Sequence, residues 1–194
     1  MFNSSEIKTR TGVKPGINSN VGVEMVYAPI GEGNTPVLQF RIADTTFKKV
    51  FWEPKKGGIS YERTAKYPFE FMGFTVPKGK IMNDDENFAF DCMDLTQNLK
   101  NILKAVGVEA DFKAPDYAGL ATEVVKLFGG VKKADVKLTY DSKGYLSFPK
   151  FGYVAEANSG TLTINPQYDK LTNGTPATDV TSTGASDSSQ DLPF

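Results

Sequence analysis

Apolar and polar positions change their period three times along this chain, and each change marks a boundary. Val21 to Ile30 and Pro36 to Ile42 are rich in β-forming residues and are separated by Gly31-Glu32-Gly33-Asn34, so they predict a hairpin. In the second run Val37, Gln39 and Arg41 fall on one face and Leu38, Phe40 and Ile42 on the other, the alternation of a half-buried strand. Residues 1 to 20 are polar and read as an arm or an irregular first strand. Phe47 to Trp52 extends the β character until Pro54-Lys55-Lys56-Gly57-Gly58 breaks it and opens a basic loop reaching Lys66. Phe69 to Val76 predicts one further strand. The period then becomes helical: Asn83-Asp84-Asp85-Glu86 supplies N-cap chemistry, and Leu95, Leu99, Ile102, Leu103 and Val106 recur until Gly107. A second helix is expected over Ala118 to Phe128, stopped by Gly129-Gly130. Strand character resumes at Ala134 to Tyr140, turns through Asp141-Ser142-Lys143-Gly144, and returns as Tyr145 to Ala155.

Short strands interrupted once by helix, with a last hairpin returning to the sheet, predict a mainly β fold. The expected architecture is an OB-fold-like Greek-key barrel, whose strand face and loops bind oligonucleotides. The expected division is a nucleic-acid-binding domain over 1–158, with a helical insert at about 84–130, followed by a tail over 159–194. From Thr172 to Gln190 the only large apolar side chain is Val180. Ordering such a segment costs backbone entropy that no burial offsets, so a disordered acidic tether is expected.

Composition narrows the chemistry. The 194 residues, less such a tail, suit one domain with a real core. Cys92 is the single cysteine and cannot form an intrachain disulfide, no secretory leader is evident, and no run is long enough to span a bilayer. A cytoplasmic setting without membrane contact is the expectation. Histidine is absent, which removes the commonest general base and transition-metal ligand, so neither a catalytic residue, a metal site nor a cofactor is expected.

The net charge of −1 hides segregation. Residues 41–80 hold nine Lys and Arg against four Asp and Glu, 84–123 hold three against nine, and 126–150 hold six against two. A polyanion can therefore dock on part of a mildly acidic molecule. The two basic blocks are interleaved with rings: Phe47, Phe51, Trp52, Tyr61 and Tyr67 in the first, and Tyr140, Tyr145, Phe148, Phe151 and Tyr153 in the second. Binding single strands without regard to sequence needs this combination, cations to track phosphates and bare rings on which bases stack. Phe40, Phe69, Phe71 and Phe74 sit among apolar neighbours and are assigned to the core. The residues singled out for DNA are Arg41, Lys48, Lys49, Trp52, Lys55, Lys56, Tyr61, Arg63, Lys66, Lys143, Tyr145, Phe148 and Lys150. Trp52 and Tyr61 are the leading stacking candidates, because they flank the basic loop.

The chain closes on Asp191-Leu192-Pro193-Phe194, a bare aromatic beside the terminal carboxylate at the end of a polar segment. This tip resembles that of bacterial single-stranded-DNA-binding proteins. The stretch Val136 to Val154, with Lys143-Gly144-Tyr145 and Phe148-Pro149, is similar to the last hairpin of phage-encoded members of that family. The resemblance implies coating and protection of single-stranded DNA, with Asp191, Leu192, Pro193 and Phe194 recruiting replication, repair or recombination proteins. It also implies a bacteriophage source acting in a bacterial cytoplasm. This tail departs from many members in carrying only scattered Asp before the tip.

Two other classes compete. A metal-dependent nuclease would use Asp84, Asp85, Glu86, Asp91 and Asp94 as oxygen ligands for Mg²⁺. The plainer account assigns Asp84 to Glu86 to a helix N-terminus and Asp91 and Asp94 to a solvated face. An adaptor would share the recruiting tip and never touch nucleic acid.

Overall fold

The structure is a computed structural model that describes residues 12–57 and 62–172. Strand β1 (Gly16–Pro29) is the spine of a mainly β barrel, because its two halves serve different neighbours. Val23 to Pro29 pair antiparallel with β2 (Pro36–Ile42), whereas Gly16 to Val23 pair antiparallel with β8 (Lys132–Tyr140). A bulge between Asn18 and Val21 bends the strand where it changes partner. The apparent polar arm thus begins β1 five residues before the expected start.

Strand β3 (Lys48–Phe51) pairs with β2, and β10 (Val154–Glu156) pairs with β8. The order β10-β8-β1-β2-β3 puts the returning strand beside the first, a Greek key, and the five strands form a nearly closed OB-fold-like barrel. Between β3 and β8 the chain makes β4 (Arg63–Thr64), β5 (Phe69–Phe71), β6 (Phe74–Val76), β7 (Ile81–Met82), α1 (Asp84–Ala105) and α2 (Tyr117–Phe128). The expected single strand over 69–76 is a hairpin instead: Met72 and Gly73 both take positive φ, 51° and 81°, and reverse the chain in two residues.

Helix α1 begins where its capping box dictates. Asn83 Oδ1 accepts from Glu86 N at 3.0 Å, and Glu86 Oε2 accepts from Asn83 N at 2.9 Å. Helix α2 ends at Gly129 in the left-handed region. The apolar stripe Leu95, Leu99, Ile102 and Leu103 meets Val124 and Phe128 of α2, Phe40 of β2 and Val136 and Leu138 of β8 in one core. A smaller cluster of Ala65, Val76 and Met82, with Phe69 and Phe90 against it, holds the β4–β7 region to α1.

The expected continuous strand over 145–155 is broken. β9 (Leu146–Ser147) and β10 both pair with β8, and Phe148 to Tyr153 bulge out between them. The folded body also runs past 158. Lys137 on β8 and Asp169 form a buried ion pair at 2.8 Å, Lys137 Nζ donates to Thr163 O at 3.1 Å, and Tyr140 N donates to Lys170 O at 2.8 Å. Residues 163–170 therefore strap back onto β8, and the expected tail over 159–194 begins too early. Its remainder, 173–194, lies outside the described residues.

Candidate nucleic-acid interface

The last residues of β3 and the bulge before β10 meet at the seam where the barrel nearly closes. Lys49 makes the connection: its Nζ donates to Pro149 O at 3.0 Å and lies 4.5 Å from the centroid of the Tyr153 ring. Burial pushes its ammonium below the usual lysine value, with Asp94 opposing and Lys150 reinforcing the shift. Lys49 is thus both a cross-brace and a wall of the groove beside it.

That groove, of about 480 Å³, is lined by Lys49, Trp52, Glu53, Lys55 and Lys150 from β3, the segment after it and the bulge, and by Asp91, Asp94 and Asn98 of α1. Trp52 follows β3 directly, where Pro54 ends strand pairing, and its side chain is 67% exposed. An exposed indole presents a flat face on which another planar ring can stack. The lining is of mixed charge, with Lys49, Lys55 and Lys150 against Glu53, Asp91 and Asp94.

The other singled-out residues that are described lie apart from this groove lining. Arg41 and Lys48 are register partners on β2 and β3, on the face away from the core, where Arg41 donates to Gln39 Oε1 at 2.9 Å. Lys143 and Tyr145 sit at the β8–β9 turn, with Tyr145 69% exposed, and Lys66 is exposed beside Tyr67. Lys56 and Arg63 are held by α1: Lys56 pairs with Asp85 and Arg63 with Asp91, each at 2.6 Å, and Arg63 also lies over the Phe90 ring. Lys80 pairs with Glu86 in the same way, and that hydrogen bond holds the Glu86 carboxyl below its usual value. Asp84, Asp85 and Glu86 occupy the first turn of α1 as expected, whereas Asp91, expected on a solvated face, is tied to Arg63. Tyr61 and the tip residues Asp191, Leu192, Pro193 and Phe194 lie outside the described residues.

Phe148 is a core ring and not a stacking platform. It is 8% exposed and packs 5.6 Å from Phe40 and 5.7 Å from Tyr153, centroid to centroid. The bulge turns Phe151 outward instead, 61% exposed with Lys150 Nζ 5.0 Å from its centroid. The sequence carried a signal for this exchange: alternation from Leu146 puts Phe148 inward, and Pro149 and Gly152 then break the strand around Phe151.

Tyr117 of α2 places its hydroxyl between two strands, accepting from Leu38 N at 2.9 Å and donating to Phe51 O. It fixes the end of β3 from which Trp52 projects. Among the described residues no group of three or more His, Cys, Asp or Glu is placed to hold a metal ion, and no helix is long and apolar enough to cross a membrane. No family model matches the chain, and neither a curated protein nor a solved structure matches it.

Proposed function

We propose that this protein binds single-stranded DNA without base-sequence preference and protects it during replication, recombination or repair, acting as a coat and not as an enzyme. The observation that carries the reading is the bare Trp52 indole set between Lys55 and the Lys49–Lys150 wall, at the seam of an OB-fold-like barrel. Stacking on exposed rings is worth about 1–3 kcal/mol per base and is indifferent to sequence, because every base has a π-face. The neighbouring lysines supply the phosphate attraction. The helix at this site, α1, is a wall of the groove packed against the barrel, which suits a single strand better than a duplex major groove.

The C-terminal Asp191-Leu192-Pro193-Phe194 has a separate role, capture by replication, repair or recombination proteins in a bacterial cytoplasm. Phe194 would enter an apolar pocket, Asp191 would add attraction to a cation, and Pro193 would limit the entropy lost on docking. The test is a titration of labelled oligo-dT, oligo-U and duplex DNA at two salt concentrations. Tighter binding to single strands, weakening linearly in log–log form as salt rises, is expected. Equal or tighter binding to duplex refutes the proposal.

A further inference from the structure

The Trp52 groove does not end at Lys150. Across the ridge made by the 148–153 bulge lies a second groove of about 410 Å³, and Asn98 of α1 lines both. It is lined by Asn98, Asn101 and Lys104 of α1, by Phe151, Tyr153 and the single carboxylate Glu156 along the bulge and β10, and by Ser159. Lys150 and Phe151 are consecutive, so the ridge presents a cation to the first groove and an exposed ring to the second.

The stripe facing this seam is ordered along α1. Asp91 and Asp94 line the first groove, Asn98 is common to both, and Asn101 and Lys104 line the second. The spacing of three to four residues keeps them on one helix face. The amides have capacity to spare. Asn98 Nδ2 donates to Asp94 O at 2.8 Å and Asn101 Oδ1 accepts from Gln97 Nε2 at 2.9 Å, which leaves Asn98 Oδ1 and Asn101 Nδ2 unpartnered among the described residues. Lys104 carries no ion pair among the described residues. The Tyr153 hydroxyl, in the same wall, is buried without a hydrogen-bond partner among them.

We infer that the second groove is a further nucleotide subsite, continuous with the first, in which a base stacks on Phe151 and meets the Asn98 and Asn101 amides while Lys104 takes a phosphate. This rests on the single-strand reading of the Trp52 groove and extends it: the strand runs along the β3–β10 seam beside α1 instead of across the outer face of β2 and β3. A ring, two amides and a cation are the set that a single nucleotide uses.

The experiment is an affinity series against oligo-dT of increasing length, for wild-type full-length protein, Phe151→Ala and Lys104→Gln, with folding checked by thermal melting. Both side chains are exposed, so both variants keep the core. The shortest oligonucleotides should bind all three proteins alike. Longer ones should bind Phe151→Ala roughly 30-fold more weakly, the middle of the range for one lost stacking contact, and Lys104→Gln more weakly with a shallower salt dependence. Wild-type-like binding by both variants at every length overturns the subsite alone, as does a loss that is equal at every length. A wild-type protein that binds no oligonucleotide overturns the single-strand reading and the subsite with it.

Discussion

Lys137 Nζ and Asp169 Oδ2 lie 2.8 Å apart, both buried, and they join the fourth barrel strand to a segment 32 residues further along the chain. Asp169 Oδ2 also accepts from Asn165 N at 2.7 Å, so the carboxylate organises the strap while it neutralises the lysine. Removing one member leaves the other charge buried, at a cost of about 3–5 kcal/mol. Asp169→Ala and a truncation after residue 158 are both expected to lower the unfolding midpoint sharply in denaturant titrations. Truncation after 172 is expected to leave it near the wild-type value.

Phe148→Ala and Trp52→Ala separate the core from the interface. The first removes a ring packed between Phe40 and Tyr153 and should destabilise the fold by about 3–5 kcal/mol. The second should leave the melting temperature nearly unchanged and weaken single-strand binding by about 1–3 kcal/mol. Paired melting and binding curves measure both.

Asp85 holds Lys56 at 2.6 Å on an exposed surface, where the pair contributes little to stability. Asp85→Asn should release Lys56 for phosphate and remove a repelling charge. Affinity for oligo-dT is expected to rise a few-fold at low salt, with the gain fading as salt is raised. Fluorescence anisotropy at two ionic strengths reads the difference.

Deleting Phe194 tests the tip apart from the barrel. Pull-downs from bacterial lysate should lose partners that full-length protein retains, while oligo-dT affinity changes little. Identical partner sets for the two proteins would leave the tip without a role.

Local signals were legible in the sequence and non-local ones were not. The Gly31–Asn34 turn, the Asn83–Glu86 capping box and the Gly129 stop depend on neighbours a few residues apart, and they placed the β1–β2 hairpin and both helices closely. The OB-fold-like order followed from the element sequence. In the Met72-Gly73 turn, Gly73 was the legible signal and Met72, a residue that seldom takes positive φ, masked it, so one strand was read through the turn. The α1 clamps on Lys56, Arg63 and Lys80 were missed because charge pairing across elements has no period. The same limit hid Lys137–Asp169. At the candidate site, the sequence singled out Trp52, Lys49, Lys55 and Lys150, which the fold gathers around one groove, but chose Phe148 over Phe151.

The central claim, that a single strand occupies the Trp52 groove, has a direct optical test because Trp52 is the only tryptophan. Titrating full-length protein with oligo-dT should quench its fluorescence to a saturating end point, reversibly with added salt, and duplex DNA at equal phosphate concentration should quench it far less. Unchanged emission at oligo-dT concentrations that saturate binding by an independent readout would contradict the account.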